Sequence, residues 1–173
     1  MARILITGGT GFIGAHLTDK LISKKHKVLV VDNLKSLGGI HYVNKRGKFI
    51  KGDIKKNSVI KKIKKWRPDI IYHLAAQSAG ESAYDDPQSD LLNNAYGTYL
   101  LAELARSIKV KLFIYASTVA VYGSNENLIS ENTKIQPDSI YGVSKFTGEM
   151  YIRQLLEKSS TKYIIFRIFN TYG

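Results

Sequence analysis

The 173-residue chain contains no cysteine. That excludes a disulfide scaffold, thiol catalysis and thiolate-ligated metals. Proline is limited to three residues, and neither an internal repeat nor a low-complexity tract is present. No apolar run approaches the roughly 18 residues that a membrane helix needs. The opening Met1-Ala2-Arg3-Ile4-Leu5-Ile6 runs at once into glycines. It has neither the apolar core nor the small-residue cleavage site of a signal peptide. The expectation is a cytoplasmic protein with no membrane partner. Acidic residues are the minority charge, 14 against 26 basic residues. What is present suits a globular chain, with 44% hydrophobic and 23% charged residues. Enough Ile, Leu, Val and Phe is available to offset ordering entropy. The length fits one domain with a real core.

The formal net charge of +12 raises the question of anionic partners. Lys55, Lys56, Lys61, Lys62, Lys64 and Lys65 surround Val59, Ile60, Ile63 and Trp66, the pattern of an amphipathic helix with a solvated basic side. Lys24, Lys25 and Lys27 fall where a helix hands over to a strand. These lysines read as solvated faces, with weak, salt-sensitive anion attraction as the alternative. No nucleic-acid partner is expected.

Strand and helix patterns alternate from the first residue. Strands are expected at Arg3 to Thr7, Lys27 to Asp32, Lys48 to Lys51, Asp69 to Leu74, Lys111 to Ala116 and Lys162 to Ile168. Helices are expected at Phe12 to Lys25, in the lysine-rich segment, at Asp90 to Ser107 and at Tyr141 to Lys158. Asn33 to Asn44 and Ser124 to Ser139 read as irregular. Such alternation implies parallel strands joined by right-handed crossovers. The fold class is α/β: a doubly wound parallel sheet of about six strands, whose ligands bind at the carboxyl ends of the strands.

The chemistry-bearing segments fall at those ends. Thr7-Gly8-Gly9-Thr10-Gly11-Phe12-Ile13-Gly14 follows a strand and opens a helix. Gly9, Gly11 and Gly14 fit the general dinucleotide fingerprint; Gly8, Gly11 and Gly14 fit a variant spaced three by three. Either spacing lets backbone approach a pyrophosphate at a helix N-terminus. A plain tight turn is the alternative, but Asp32 ends the next strand, where a carboxylate can bind ribose hydroxyls and repel a 2′-phosphate, favouring NAD over NADP. Asp53, after Gly52, reads equally as an acceptor for an adenine amino group or as a helix N-cap. His73 ahead of Leu74-Ala75-Ala76-Gln77 reads as a satisfied strand-end histidine rather than a base. The other histidines lack ligand spacing, so no metal site is expected. Asn94 and Gly97 are poor mid-helix residues, justified by a close approach or merely tolerated. Tyr141 and Lys145, four apart in Tyr-Gly-Val-Ser-Lys, share one helix face. With Thr118 at a strand end, they form a candidate proton-transfer set. Lowering a phenol by about three pH units takes roughly 4 kcal/mol, more than one exposed ion pair supplies. Several positive sources in a water-poor cleft would be needed.

Together these segments resemble the extended short-chain dehydrogenase/reductase family, in its NAD-dependent nucleotide-sugar epimerase/dehydratase branch. The resemblance runs from Ile4 to Gly173. It rests on the glycine string, Asp32-Asn33-Leu34, Gly52-Asp53-Ile54, His73 to Gln77, Asn94 to Thr98, Ser117-Thr118 through Val121-Tyr122-Gly123, Tyr141 to Lys145, and Phe166 to Gly173. Within the branch the chain looks most like the UDP-glucose 4-epimerases. The resemblance implies that Tyr141 takes a proton from the sugar 4-hydroxyl while hydride passes from C4 to NAD. It implies that Thr118 hydrogen-bonds that oxygen, and that Lys145 lowers the Tyr141 pKa and binds the nicotinamide ribose. The keto sugar then turns over and receives hydride on its other face. Gly8, Gly11, Phe12, Ile13, Gly14, Asp32, Asn33, Asp53, Ile54, Leu74, Ala75, Ala76, Asn94, Lys145 and Phe169 match cofactor positions, and Asn170 a substrate position beside Thr118 and Tyr141.

Val119 and Ala120 stand where a 4,6-dehydratase carries an Asp-Glu pair, so dehydration is not expected. Ile140 replaces the usual proline, which would loosen the loop before Tyr141. Members of the family continue well beyond this length with a smaller lobe that grips the nucleotide of the substrate. Residues 1–173 therefore read as a truncated NAD-binding Rossmann domain whose C-terminal substrate lobe is missing. Homodimerisation through the helices of the fourth and fifth crossovers is expected of the full-length form. Two alternatives stand beside the epimerase: a truncated NAD-binding module without turnover, and an NAD(P)-dependent nucleotide-sugar reductase.

Overall fold

The structure, a computed structural model, describes residues 1–35, 42–77, 80–126 and 128–171. Part of the expected Asn33–Asn44 loop and Ser78 lie outside the described residues. Six strands form one sheet: β1 (Arg3–Thr7), β2 (Lys27–Asp32), β3 (Lys48–Lys51), β4 (Ile70–His73), β5 (Leu112–Thr118) and β6 (Lys162–Ile168). Their order is β3-β2-β1-β4-β5-β6, and every pairing is parallel. The switch point, where crossovers reverse direction, lies between β1 and β4. The helices are α1 (Phe12–Ser23), α2 (Asn57–Trp66), α3 (Gly80–Asp85), α4 (Pro87–Asp90), α5 (Gly97–Ser107) and α6 (Ile140–Leu156). This is the expected doubly wound α/β sheet.

Parallel strands covered on both faces require near-continuous apolar runs, and β1 and β2 have them: Ile4, Leu5 and Ile6, then Val28 to Val31, are all buried. Alternate residues serve opposite faces. Leu5, Leu29, Val31, Ile71, Phe113 and Tyr115 join Val59, Ile63, Leu101 and Ile152 in the larger core, under α2, α5 and α6. Ile4, Ile6, Val28 and Val30 pack with Leu17 and Leu21 of α1. Cover on that second side stops short of β6, where Ile164 and Phe166 remain 41% and 53% exposed.

The expected single helix from Asp90 to Ser107 is corrected. The chain forms α4, then a π-helical turn over Leu91–Tyr96, and only then α5. Periodicity cannot reveal one extra residue per turn, and the cause is tertiary. The Asn94 amide grips Gln77 in the loop after β4, accepting from its N–H at 2.8 Å and donating to its carbonyl at 3.1 Å. A π-bulge at such a point often marks a functional site. Strand β5 runs two residues past the expected end, taking Ser117 and Thr118 into the sheet. A 3₁₀ turn over Val119–Tyr122 follows.

Candidate active site

The glycine string forms the turn between β1 and α1. Gly8 has φ +71°, and a Cβ there would lie 2.6 Å from the Ala75 nitrogen. A Cβ on Gly14 would lie 2.2 Å from the Gly8 carbonyl oxygen. These two glycines let the β1 and β4 ends and the first turn of α1 converge. Gly11 caps α1 without a side-chain hydrogen bond to the helix, so the opening N–H groups at Phe12 and Ile13 face outward as an anion cradle. Asp32 is 7% exposed. It accepts from the Thr10 N–H at 3.1 Å and the Leu34 N–H at 2.8 Å, which ties the glycine turn to the β2 end. Each carboxylate oxygen keeps lone-pair capacity for a ribose hydroxyl. Leu34 sits at φ +61°, a left-handed conformation stabilised by that Asx-type turn. Asn33 beside it is exposed, its side chain accepting from the Lys35 N–H.

Asp53 resolves one of the open alternatives. Lys56, not Asp53, caps α2. Asp53 instead accepts from the Lys55 N–H at 2.8 Å and pairs with its ammonium at 3.1 Å. Burial pushes the carboxyl up, but the Lys55 N–H, the Lys55 ammonium and Lys35 outweigh it and hold it below its ordinary value. The Lys55 ammonium also bonds Asn93, next to Asn94. Ile54 packs against Gly97, where a Cβ would approach its Cδ1 to 3.1 Å, so Gly97 answers to packing. Leu74, Ala75 and Ala76 are half-buried at the switch point, and the Leu74 N–H donates to the Thr7 carbonyl.

His73 is fully buried and satisfied. Its Nδ1 lies 2.8 Å from Thr7 Oγ1 and its Nε2 lies 3.0 Å from Thr98 Oγ1. Burial, with the Lys145 charge nearby, lowers its pKa to about 3. It is neutral at physiological pH and holds strand ends together, in keeping with the sequence reading.

The proton-transfer set comes from β5 and α6. Thr118 is buried, and its Oγ1 accepts from the Ala120 N–H at 3.2 Å. That bond fixes the hydroxyl and leaves its proton to be donated. Ser139 caps α6 by accepting from the Gly142 N–H at 3.1 Å. Ile140 is the first helical residue, the position at which proline is favoured; the cap holds the helix start that proline would preset. Gly142 is needed because a Cβ there would lie 2.5 Å from the Ala120 carbonyl oxygen. The close approach brings Tyr141 to Thr118. Burial pushes the Tyr141 phenol above its ordinary value, the Thr118 hydroxyl opposes this, and Asp90 adds to it. Lys145 is 2% exposed. Burial brings its pKa down to about 7, while Glu149 and Asp90 resist. Burial thus disfavours the charged form of both groups, so the depression implied for Tyr141 requires additional positive charge.

Two groups escaped sequence reasoning, Asp90 and Glu149. Asp90 is fully buried, with Oδ2 2.9 Å from the Asn94 amide and, among the described residues, no hydrogen-bond partner at Oδ1. Asn94 also donates to Ser144 Oγ at 3.1 Å, linking the π turn to α6. Its amide is thus engaged by the protein. Glu149, fully buried, accepts from Ser117 Oγ at 2.5 Å and from two Arg167 nitrogens at 3.1 and 2.8 Å. This bidentate pair buttresses the β5 end. Thr118 pairs with Ile168 across the sheet, which sets Phe169 and Asn170 at the same rim. Both are exposed, and Phe169 lines a hollow with Tyr122 and Arg167 rather than joining Tyr141. Among the described residues, no cluster of His, Asp and Glu could hold a metal ion, and no helix is long and apolar enough to cross a membrane.

The family model for NAD-dependent epimerases and dehydratases matches residues 4–173. The chain belongs to that family. Among its relatives is the UDP-glucose 4-epimerase of Thermotoga maritima, solved with UDP-glucose. It is 36% identical with a TM-score of 0.94, over 99% of this chain and 56% of that one. The UDP-glucuronic acid 4-epimerase of Bacillus cereus, solved with its namesake sugar nucleotide and NAD, is 32% identical with a TM-score of 0.89, over 99% of this chain and 57% of that one. The dTDP-D-glucose 4,6-dehydratase of Dictyostelium discoideum is 33% identical over 99% of this chain and 44% of its own length. The chain thus spans about half the length of such epimerase/dehydratase relatives.

Proposed function

We propose that residues 1–173 form the NAD-binding, proton-transferring domain of a cytoplasmic nucleotide-sugar 4-epimerase acting on a UDP-hexose. The supporting observation is the convergence of Thr118, Tyr141 and Lys145 at the rim that also carries the glycine turn and Asp32. A module that only held a dinucleotide would have no use for that trio.

The residues fit NAD. The uncapped start of α1, at Gly11, Phe12, Ile13 and Gly14, would take the diphosphate. Asp32 and Asn33 would take the adenosine ribose, Asp53 and Ile54 the adenine, and Leu74 to Ala76 and Lys145 the nicotinamide side. When bound, NAD supplies a hydride acceptor and a positively charged ring. The chain supplies the proton chemistry. Tyr141 accepts the proton of the sugar 4-hydroxyl and later returns it to the same oxygen. Thr118 donates a hydrogen bond to that oxygen, and Lys145 contributes positive charge on the Tyr141 face of α6. No acid stands at Val119 or Ala120 to expel water, which favours epimerisation over dehydration.

In a chain carrying the remaining length of the relatives, Tyr141→Phe will abolish interconversion of UDP-glucose and UDP-galactose while NAD stays bound. Undiminished turnover would assign the base elsewhere. For the isolated chain, calorimetric titration will show NAD binding tighter than NADP, and Asp32→Ala will narrow the gap. Equal affinities in the unaltered chain would refute the role of Asp32 and favour the NADP-dependent reductase.

The reading includes a homodimer. Leu91, Tyr96, Val143, Met150 and Tyr151 are exposed along the π turn and α6, where the Tyr96 ring stacks on Tyr99 and the Tyr99 ring meets Tyr151 at a tilt of 59°. Contiguous apolar surface of this kind marks association sites.

A further inference from the structure

Lys145 presents a physical problem that the proposed function leaves open. Its amine must be held in place and able to carry charge although the side chain is 2% exposed. The side chain against it is Tyr115 of β5, which is fully buried. The Lys145 Nζ lies over the Tyr115 ring, 4.3 Å from its centroid. The Tyr115 hydroxyl donates to the Lys145 carbonyl at 3.4 Å. One tyrosine thus meets the lysine at both ends, backbone and cation.

The surroundings are shaped to admit that phenol. A Cβ on Gly148, within one turn of Lys145 on α6, would lie 2.7 Å from the Tyr115 hydroxyl oxygen and 3.2 Å from its ring. The His73 ring lies 5.5 Å from the Tyr115 ring and is itself bonded to Thr7 and Thr98. Tyr115 cannot move without disturbing this contact. The other groups acting on the Lys145 charge are Glu149 on the same helix, Asp90 of α4, and the neutral His73 of β4.

We propose that Tyr115 is a positioning residue for Lys145: its buried ring is the seat that favours the ammonium over the neutral amine and fixes it on the face of α6 shared with Tyr141. The negative face of an aromatic ring attracts a cation most strongly where water is excluded. Without the ring, burial acts unopposed on that side, and Lys145 gives up its proton at lower pH. The consequence for catalysis rests on the proposed role of Lys145, but the proton affinity does not.

The test reads the Lys145 side chain directly in this chain, without cofactor or substrate. The side-chain resonances of isotope-labelled lysine are followed by NMR against pH, with Lys145→Met supplying the assignment. The unaltered chain will show a midpoint near 7. Tyr115→Phe keeps the ring, and its midpoint will stay close to that of the unaltered chain. Tyr115→Leu will lower the midpoint by about one pH unit, a tenfold loss of proton affinity. Phenylalanines carrying one, two and three fluorines at position 115 keep the shape while weakening the ring's negative face. The midpoint will fall stepwise along that series. A flat fluorine series, or a Leu variant with an unchanged midpoint, overturns the proposal. If the Leu variant fails to fold, the fluorine series decides. A stepwise fall beside an inactive full-length enzyme would sink the epimerase reading and leave the seat standing; a flat series beside an active one would do the reverse.

Discussion

His73 and Lys145 are two basic side chains buried within one small region, and both hold protons more weakly than in water. For His73 the folded value of about 3 lies below the ordinary 6.5. Between those values the unfolded chain binds a proton that the folded chain refuses, so folded stability falls as pH drops through that window. Counted alone, the full window is worth about 5 kcal/mol. Urea unfolding at pH 7 and pH 4 will show a marked loss for the unaltered chain and a smaller loss for His73→Gln. Equal losses would mean that carboxylates dominate the acid response. At this scale the sequence was informative where chemistry is local. Tyr141 and Lys145 announce themselves by their spacing, and Asp32 by its place at a strand end. Tyr115 gives no such sign. It reads as one more aromatic in an apolar strand, because its partner is 30 residues away and only the folded sheet brings them together. Asp90 looks like an ordinary acid near a helix start, and nothing local shows that it becomes fully buried.

Elements were legible where a pattern repeats. Six strands and the principal helices follow from runs and periods. The π turn does not, since a single extra residue is set by Asn94 holding Gln77 rather than by any rhythm of side chains. That grip predicts a specific weakness. Asn94→Leu removes the hydrogen bonds that the Asn94 amide makes with the Gln77 N–H, the Gln77 carbonyl and the Asp90 carboxylate, and the loss of such buried bonds costs about 1–3 kcal/mol each. Thermal unfolding will show a loss above 2 kcal/mol, larger than for an exposed position on α5. A loss within the range of surface substitutions would show that the turn persists by packing alone. The two short helices before it, α3 and α4, were likewise unread, because one turn carries too few residues to show a period.

For the whole molecule, the doubly wound parallel sheet was readable, since alternation leaves few topologies, and the candidate residues lie toward the carboxyl ends of its strands. Association is expected only through resemblance, and the proposed dimer would use the exposed side chains from Leu91 to Tyr151. In a full-length chain, Val143→Lys places a charge in the middle of that face. Sedimentation velocity will show the unaltered form at twice the monomer mass and the variant shifted toward monomer. A monomeric unaltered form would remove the dimer. The uneven cover of the sheet has a further thermodynamic result. Ile164, Phe166 and Phe169 are already wetted in the native state, so denaturation uncovers less new apolar area there. Both the heat-capacity increment and the denaturant sensitivity scale with that area. For this chain each will therefore fall below the norm for its residue count.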